Sequence, residues 1–244
     1  VLDRGFIFGD GIYEVVPAYG GRPFRWPQHL ARLERSLAKV GIANPMDADG
    51  WTRLVTELIR RHPWPDQFVY LQVTRGVAKR DHAFPKGARP TVFMMSNPLP
   101  LPSREQVERG VAAVTADDNR WHRCDLKTTS LLGNVLMRQR AADLDAVETV
   151  MFRDGWLTEA SASNVLIVRG GTIVAPPKDH QILPGITYDA TIEFAREAGM
   201  PMEIRPVRRE EALSADEMWL SSSTKEVLAI TTLDGKPFGS GVPG

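Results

Sequence analysis

Asn97-Pro98-Leu99-Pro100-Leu101-Pro102 divides the chain. Proline has a fixed φ and no backbone donor, so three prolines at alternate positions cannot lie inside a helix or a central strand. The run reads as an extended linker. Two domains follow: a smaller N-terminal α/β domain over residues 1–98, a linker over 99–104, and a larger β-rich domain over 105–244. Upstream of the linker, Pro27 to Val40 reads as a helix, with Leu30, Leu33, Leu37 and Val40 on one face and proline in the first turn. A second helix follows Asp47, where Trp51, Leu54, Val55, Leu58 and Ile59 recur at helical spacing. Phe68 to Thr74 and Thr91 to Met95 are β-rich runs bounded by turn formers, which predicts strands.

Downstream, Val111 to Thr115 reads as a strand and Ser130 to Ala142 as a helix. A β-meander is expected next: Val147 to Phe152, a turn at Arg153-Asp154-Gly155, Asn164 to Val168, a turn at Gly170-Gly171, then Thr172 to Ala175. Thr187 to Glu197 reads as a helix capped by Thr187, and Glu217 to Leu220 and Val227 to Ile230 as short strands. The fold class is α+β.

Composition sets the bounds. Of 244 residues, 43% are hydrophobic and 25% charged, the profile of an ordinary soluble globular chain. Thirty basic and thirty acidic residues cancel, so no nucleic-acid partner is expected. Cys124 is the only cysteine, which excludes an intramolecular disulfide and points to a reducing, cytoplasmic compartment. No apolar run approaches the roughly 20 residues that span a bilayer, and no secretory leader opens the chain. No zinc spacing, phosphate loop or nucleophile elbow occurs, so no metal is expected.

Four features could carry chemistry. Lys127, in Trp121-His122-Arg123-Cys124-Asp125-Leu126-Lys127, reads by itself as one more basic surface residue or as an amine nucleophile. Ile182-Leu183-Pro184-Gly185-Ile186-Thr187 leads into a helix N-terminus, either an ordinary capped end or a phosphate cradle. Ser221-Ser222-Ser223-Thr224 is either a polar turn or a set of phosphate donors. His29, Arg32 and Ser36 share one helix face beside the apolar stripe, either a solvated face or a guanidinium and an imidazole presented together at the edge of the core.

Taken together and in order, these segments resemble the fold-type IV pyridoxal-phosphate enzymes, and among them the D-amino acid aminotransferases. The similarity begins at Asp3-Arg4-Gly5-Phe6-Ile7-Phe8-Gly9-Asp10-Gly11-Ile12-Tyr13-Glu14 and continues through His29-Leu30-Ala31-Arg32-Leu33 and Val73-Thr74-Arg75-Gly76. It then passes through Arg120 to Lys127, Thr158-Glu159-Ala160-Ser161-Ala162-Ser163-Asn164, Leu183-Pro184-Gly185-Ile186-Thr187 and Ser221 to Thr224. The resemblance implies two domains, the larger a β-rich pseudo-barrel. Members of the family usually carry a short strand ahead of the Asp-Arg-Gly signature and a helix after the last strand, so this chain is expected to be trimmed at both ends or abbreviated.

The resemblance also implies roles. Lys127 corresponds to the lysine that holds pyridoxal 5′-phosphate as a Schiff base and moves the substrate Cα proton. Glu159 corresponds to the carboxylate facing the pyridine nitrogen. Arg32, the backbone of Leu183, Gly185, Ile186 and Thr187, and the residues Ser161, Ser163, Asn164, Ser222 and Ser223 complete the expected cofactor site. Arg80-Asp81-His82, with Tyr13, is similar to the group that holds the substrate α-carboxylate from the neighbouring subunit, which implies a homodimer acting on D-amino acids and 2-oxo acids. A branched-chain or R-amine transaminase would share the cofactor residues, and an aminodeoxychorismate lyase the lysine and fold. Ala160 and Ala162 depart from the Gly or Ser frequent in the D-specific branch.

Overall fold

The computed structural model describes all residues, 1–244, and they separate into two compact units. The first comprises Val1–Pro100 together with the later segment Leu126–Leu131; the second comprises Leu101–Asp125 and Leu132–Gly244. The lysine segment therefore belongs with the N-terminal residues, although the sequence places it beyond the proline run.

The first unit contains α1 (Arg4–Phe8), β1 (Gly11–Tyr19), β2 (Arg22–Pro23), α2 (Trp26–Lys39), α3 (Ala48–Arg60), β3 (Gln67–Thr74) and β4 (Thr91–Pro98). Its four strands form an antiparallel sheet in the order β2-β1-β3-β4. Helix α2 has Pro27 in its first turn, and α3 starts at Asp47, whose carboxylate accepts from the Gly50 N–H at 2.7 Å. Both helices turn their periodic apolar faces onto the sheet. Leu33, Leu37, Trp51, Val55 and Ile59 form one core with Ile12, Val16, Val69, Leu71 and Val73. Strand β4 runs on through Asn97 to Pro98, further than the proline spacing predicts. It can do so because it is the edge strand, where a missing donor costs no ladder bond.

The second unit contains α4 (Arg104–Arg109), β5 (Val111–Asp117), α5 (Leu132–Asp143), β6 (Glu148–Arg153), β7 (Trp156–Ala160), β8 (Asn164–Arg169), β9 (Thr172–Ala175), α6 (Ile186–Glu197), β10 (Met202–Ile204), α7 (Arg209–Leu213), β11 (Glu217–Ser222), β12 (Glu226–Leu233) and β13 (Lys236–Pro237). The proline run ends where Ser103 caps α4 in a reciprocal capping box with Gln106. One curled sheet follows the path β10-β9-β8-β11-β12-β5-β6-β7, with β13 on β12.

This order corrects the expected meander. Turns form at Asp154-Gly155 and Gly170-Gly171 as expected, with positive φ at Asp154 and at all three glycines, and the second joins the β8–β9 hairpin; the first leads into β7, a strand the sequence reading lacked, and not into Asn164–Val168. Strand β7, however, does not pair with β8. Strand β11 takes that edge of β8, while β5 runs parallel to both β6 and β12. Local turn chemistry specifies hairpins, not the long-range pairings between them. A second correction concerns α6. Its N-cap is Gly185 and no side chain caps it, so Thr187 lies within the first turn. Mixed helices and sheets in two units match the α+β expectation.

Trp51 is fully buried and its Nε1 donates to Asn44 Oδ1 at 3.0 Å. We expect Trp51→Ala to lower the stability of the first unit by about 3–5 kcal/mol through the cavity it leaves. Urea unfolding followed by circular dichroism would measure it.

Candidate active site

In the first unit the edge of β1 not covered by β3 is completed by the lysine segment. Tyr13 N–H donates to Lys127 O at 2.9 Å, Thr129 N–H donates to Gly11 O at 3.0 Å, and Ile12 bridges Thr128. Thr129 and Ser130 hydroxyls both donate to Gly9 O, at 2.9 and 3.0 Å. The Lys127 main chain is thereby locked to the strand that carries Tyr13, and the Lys127 ammonium lies 4.2 Å from the centroid of the Tyr13 ring. Tyr13 stacks on Tyr70 at 5.4 Å. Tyr70 adds an aromatic wall that sequence reasoning did not single out.

Next to Tyr13 on β1 is Glu14, also missed from sequence. Arg32 from α2 donates to both of its carboxylate oxygens, Nε at 2.8 Å and Nη2 at 2.7 Å, and His29 Nδ1 lies 2.8 Å from Oε2. All three side chains are buried, as is Ser36, so the polar face of α2 is not solvated. Burial pushes the Glu14 carboxyl up, but the charge and paired hydrogen bonds of Arg32, joined by His29, outweigh it and bring the pKa down to about 2. Burial holds His29 below its ordinary range against the pull of Glu14. A carboxylate only accepts, so His29 Nδ1 carries the hydrogen; Nε2 is then an acceptor, buried without a partner. Arg80 and His82 lie in the exposed segment between β3 and β4.

In the second unit Glu159 is the penultimate residue of β7 and is buried. Its Oε1 accepts from Arg120 Nη1 at 2.8 Å, and its Oε2 from Leu183 N–H at 2.9 Å and Asn164 Nδ2 at 3.2 Å. Arg120 gives more to Asp118, through Nε at 2.9 Å and Nη2 at 2.8 Å. Burial raises the Glu159 pKa, and the single bond to Arg120 does not bring it back. For Asp118 burial also pushes upward, but the paired Arg120 bonds win and hold it low.

Asn164 also donates to Leu183 O at 2.9 Å. That bond draws the Leu183-Pro184-Gly185 turn against β8. A Cβ at Gly185 would meet Asn164 Oδ1 at 2.0 Å, so the entry to α6 tolerates only glycine. No side chain caps α6, so its first N–H groups, those of Ile186 and Thr187 among them, have neither an intrahelical partner nor a capping side chain. Ser161 and Ser163 hydroxyls donate to the buried Glu148, Ser163 at 2.8 Å, and Lys225 Nζ lies 3.1 Å from the same carboxylate. Ser222 Oγ accepts from Lys225 N–H at 3.2 Å, Ser223 is half-buried, and Ser221 Oγ is buried without a partner. Glu148 and Lys225 had no local sequence signal.

The Glu14 cluster predicts acid lability. The folded pKa, about 2, lies below the ordinary carboxylate value, so this contribution is complete above about pH 4.5 and lost as pH falls toward 2. Glu14→Gln should cost about 3–5 kcal/mol at neutral pH by stranding Arg32, and should flatten the loss of stability between pH 4.5 and 2. Urea titrations at a series of pH values would test both.

The pattern of the Amino-transferase class IV family matches residues 11–233. The D-alanine aminotransferase of Bacillus licheniformis is 40% identical over all of this chain and 86% of its own length. A fold IV transaminase structure from Curtobacterium pusillum superposes with a TM-score of 0.86 at 27% identity, covering 98% of this chain and 84% of that one. The branched-chain amino acid aminotransferase of Escherichia coli shares the fold, with a TM-score of 0.92 at 23% identity over 100% of this chain and 84% of its own. With one family pattern running through both units and relatives matched along the whole chain, the protein belongs to the class IV aminotransferases.

Proposed function

We propose that this protein is a pyridoxal-phosphate-dependent aminotransferase exchanging an amino group between D-amino acids and 2-oxo acids. The observation that carries the reading is the pinning of Lys127 to β1, which fixes an amine beside Tyr13. The likeness to D-alanine aminotransferases over the whole chain supports the D-specific branch.

Three features of the second unit fit the cofactor. The uncapped start of α6 suits a phosphate, since a helix N-terminus presents free N–H groups and the positive end of its dipole. Gly185 lets Asn164 pack directly against the entry to α6 and so fixes that backbone, and the partnerless Ser221 hydroxyl offers a further donor. Glu159, buried and under-compensated, suits a cationic ring nitrogen, which would favour its ionised form. When bound, pyridoxal phosphate supplies an electron-withdrawing ring that stabilises negative charge at the substrate Cα. Ile186 and Thr187 N–H groups, Arg32, Ser222 and Ser223 would hold the phosphate. Ser161, Ser163, Asn164 and Leu183 would shape the wall beside Glu159.

The remaining steps fall to the protein's own groups. Lys127 would hold the cofactor through its amine, and the same amine would take and return the proton at the substrate Cα. Arg80 and His82 hold the α-carboxylate, and the grip decides which face of Cα meets Lys127. Their exposure in a single chain supports the view that they serve the site of a second copy, in a homodimer. A single cysteine suits a reducing, cytoplasmic setting, and no helix is long and apolar enough to cross a membrane.

Lys127→Ala should abolish borohydride-fixable attachment of the cofactor and reduce transamination to background. Mass spectrometry after reduction checks it, and a labelled peptide that persists in the variant would refute the assignment. Arg80→Ala should raise KM for D-alanine by the equivalent of about 2–5 kcal/mol, less in an open site, while turnover of an R-configured amine lacking a carboxylate changes little. Equal D-alanine constants for wild type and variant would overturn the D-specific reading.

A further inference from the structure

Arg80 and His82 belong to a segment that contains no helix or strand beyond the single bridge of Asp3 with Val77. Residues 80–84 are all exposed, yet a carboxylate grip needs them placed to a fraction of an ångström. Within the segment Ala83 N–H donates to Asp81 Oδ1 at 3.2 Å, a local turn that does not tie it to the rest of the unit. Its support comes from α1, five residues long, and from a charge pair behind it.

Arg4 is the first residue of α1 and is 3% exposed. Its backbone is fixed by Asp3, whose carboxylate accepts from Gly5 N–H at 2.8 Å and Thr74 Oγ1 at 3.0 Å, and by its own N–H on Gly76 O at 2.9 Å. Its guanidinium lies over the Phe8 ring, 4.7 Å from the centroid, and makes three hydrogen bonds. Nε donates to Asp10 at 2.7 Å, Nη1 to Asp81 O at 2.5 Å, and Nη2 reaches His82 O at 3.4 Å. Arg4 thus grips the two main-chain carbonyls on either side of the His82 Cα.

Two rings complete the mount. Phe8, at the other end of α1, lies 5.4 Å from the His82 ring and 5.4 Å from the Arg80 guanidinium carbon. Phe84 stacks under Arg75, 3.6 Å from guanidinium carbon to ring centroid. Arg75 is in turn fixed by two bonds to Asp10, at 2.8 and 3.0 Å, and by bonds to Val40 O and Gly41 O, both at 2.8 Å. Asp10 therefore joins the two arginines that hold the segment, one at residues 81–82 and one at residue 84.

We propose that Arg4, with the Asp10–Arg75 pair behind it, is a positioning residue that sets where Arg80 and His82 are presented, and so sets affinity for the substrate carboxylate without touching substrate. This rests on the reading of Arg80 and His82 given above. A lysine at position 4 could keep the charge on Asp10 but cannot fork to two carbonyls. Phe84→Ala loosens the other anchor and removes a ring that is 63% exposed, so the core is spared.

The test compares holoenzyme carrying Arg4→Lys, Phe84→Ala or Arg80→Ala with wild type, by amide hydrogen exchange over residues 79–85 and by steady-state kinetics. For Arg4→Lys we expect faster exchange in that segment alone, an unchanged cofactor absorption spectrum, and a KM for D-alanine raised about 10–100-fold with kcat little altered. Turnover of an R-amine without a carboxylate should hold. Phe84→Ala should shift the same quantities less, and stands in for Arg4→Lys should that variant not fold. Unchanged exchange in the variants overturns the positioning role whatever Arg80 does. Faster exchange with an unaltered KM also overturns it where Arg80→Ala does raise KM. If Arg80→Ala is silent as well, the carboxylate reading itself has failed, and the proposal falls with it.

Discussion

Strand β1 has two edges, and the way each is filled organises the first unit. Strand β3 covers one edge from Gly11 to Ala18. On the other, β2 reaches only Ala18 and Tyr19, which leaves the N-terminal half of β1 with unpaired groups in a region where Ile12 and Glu14 are buried. A buried backbone donor without a partner is expensive. Tyr13 N–H finds its acceptor in Lys127 O, more than a hundred residues later, and Gly11 O takes the Thr129 N–H. The hydrogen-bonding need of one strand edge thus fixes where the lysine main chain must lie, and explains why Leu126–Leu131 joins the first unit.

Each unit also buries carboxylate–guanidinium groups, and the comparison shows how geometry decides charge. Glu14 and Glu159 are the same residue type, both buried, yet one pKa falls and the other rises. Arg32 spends Nε and Nη2 on Glu14 and sits beside a second donor, His29. Arg120 spends Nε and Nη2 on Asp118 and leaves one nitrogen for Glu159. Desolvation is similar for the two; the share of the guanidinium is not. Glu14 is thereby a settled ion, whereas Glu159 is a buried acceptor that a further cation would stabilise.

Much of this was legible in the sequence where periodicity is local. Leucines on α2 and the Trp51-to-Ile59 pattern of α3 gave both helices, with Asp47 as cap. The Gly-containing turns gave the β8–β9 hairpin and the bend that ends β6. Strand β1 was not legible: Gly11–Tyr19 is buried on both faces over much of its length and contains Pro17, so neither alternation nor composition marks it. Strand β7 escaped for a related reason, with four consecutive buried residues over Leu157 to Ala160. Of the candidate site, Lys127 and Glu159 were legible through their motifs. Glu14, Arg120, Glu148 and Lys225 were not, because a charged residue announces burial only through partners distant in sequence.

The departure at Ala160 and Ala162 takes on a physical meaning in the same way. Ala160 points into the core formed with Val150, Leu157 and Val165, so a hydroxyl there would face apolar neighbours and lack a partner. Ala162 is exposed. The polar positions are the alternate ones: Ser161 and Ser163 both donate to Glu148, whose remaining charge is met by Lys225. These two serines are therefore not free hydroxyls awaiting a ligand. They are oriented by a buried carboxylate, while Asn164 next to them bonds Glu159 and Leu183. The turn from β7 into β8 is fixed by its own hydrogen bonds, and that gives the wall beside Glu159 its shape before anything binds.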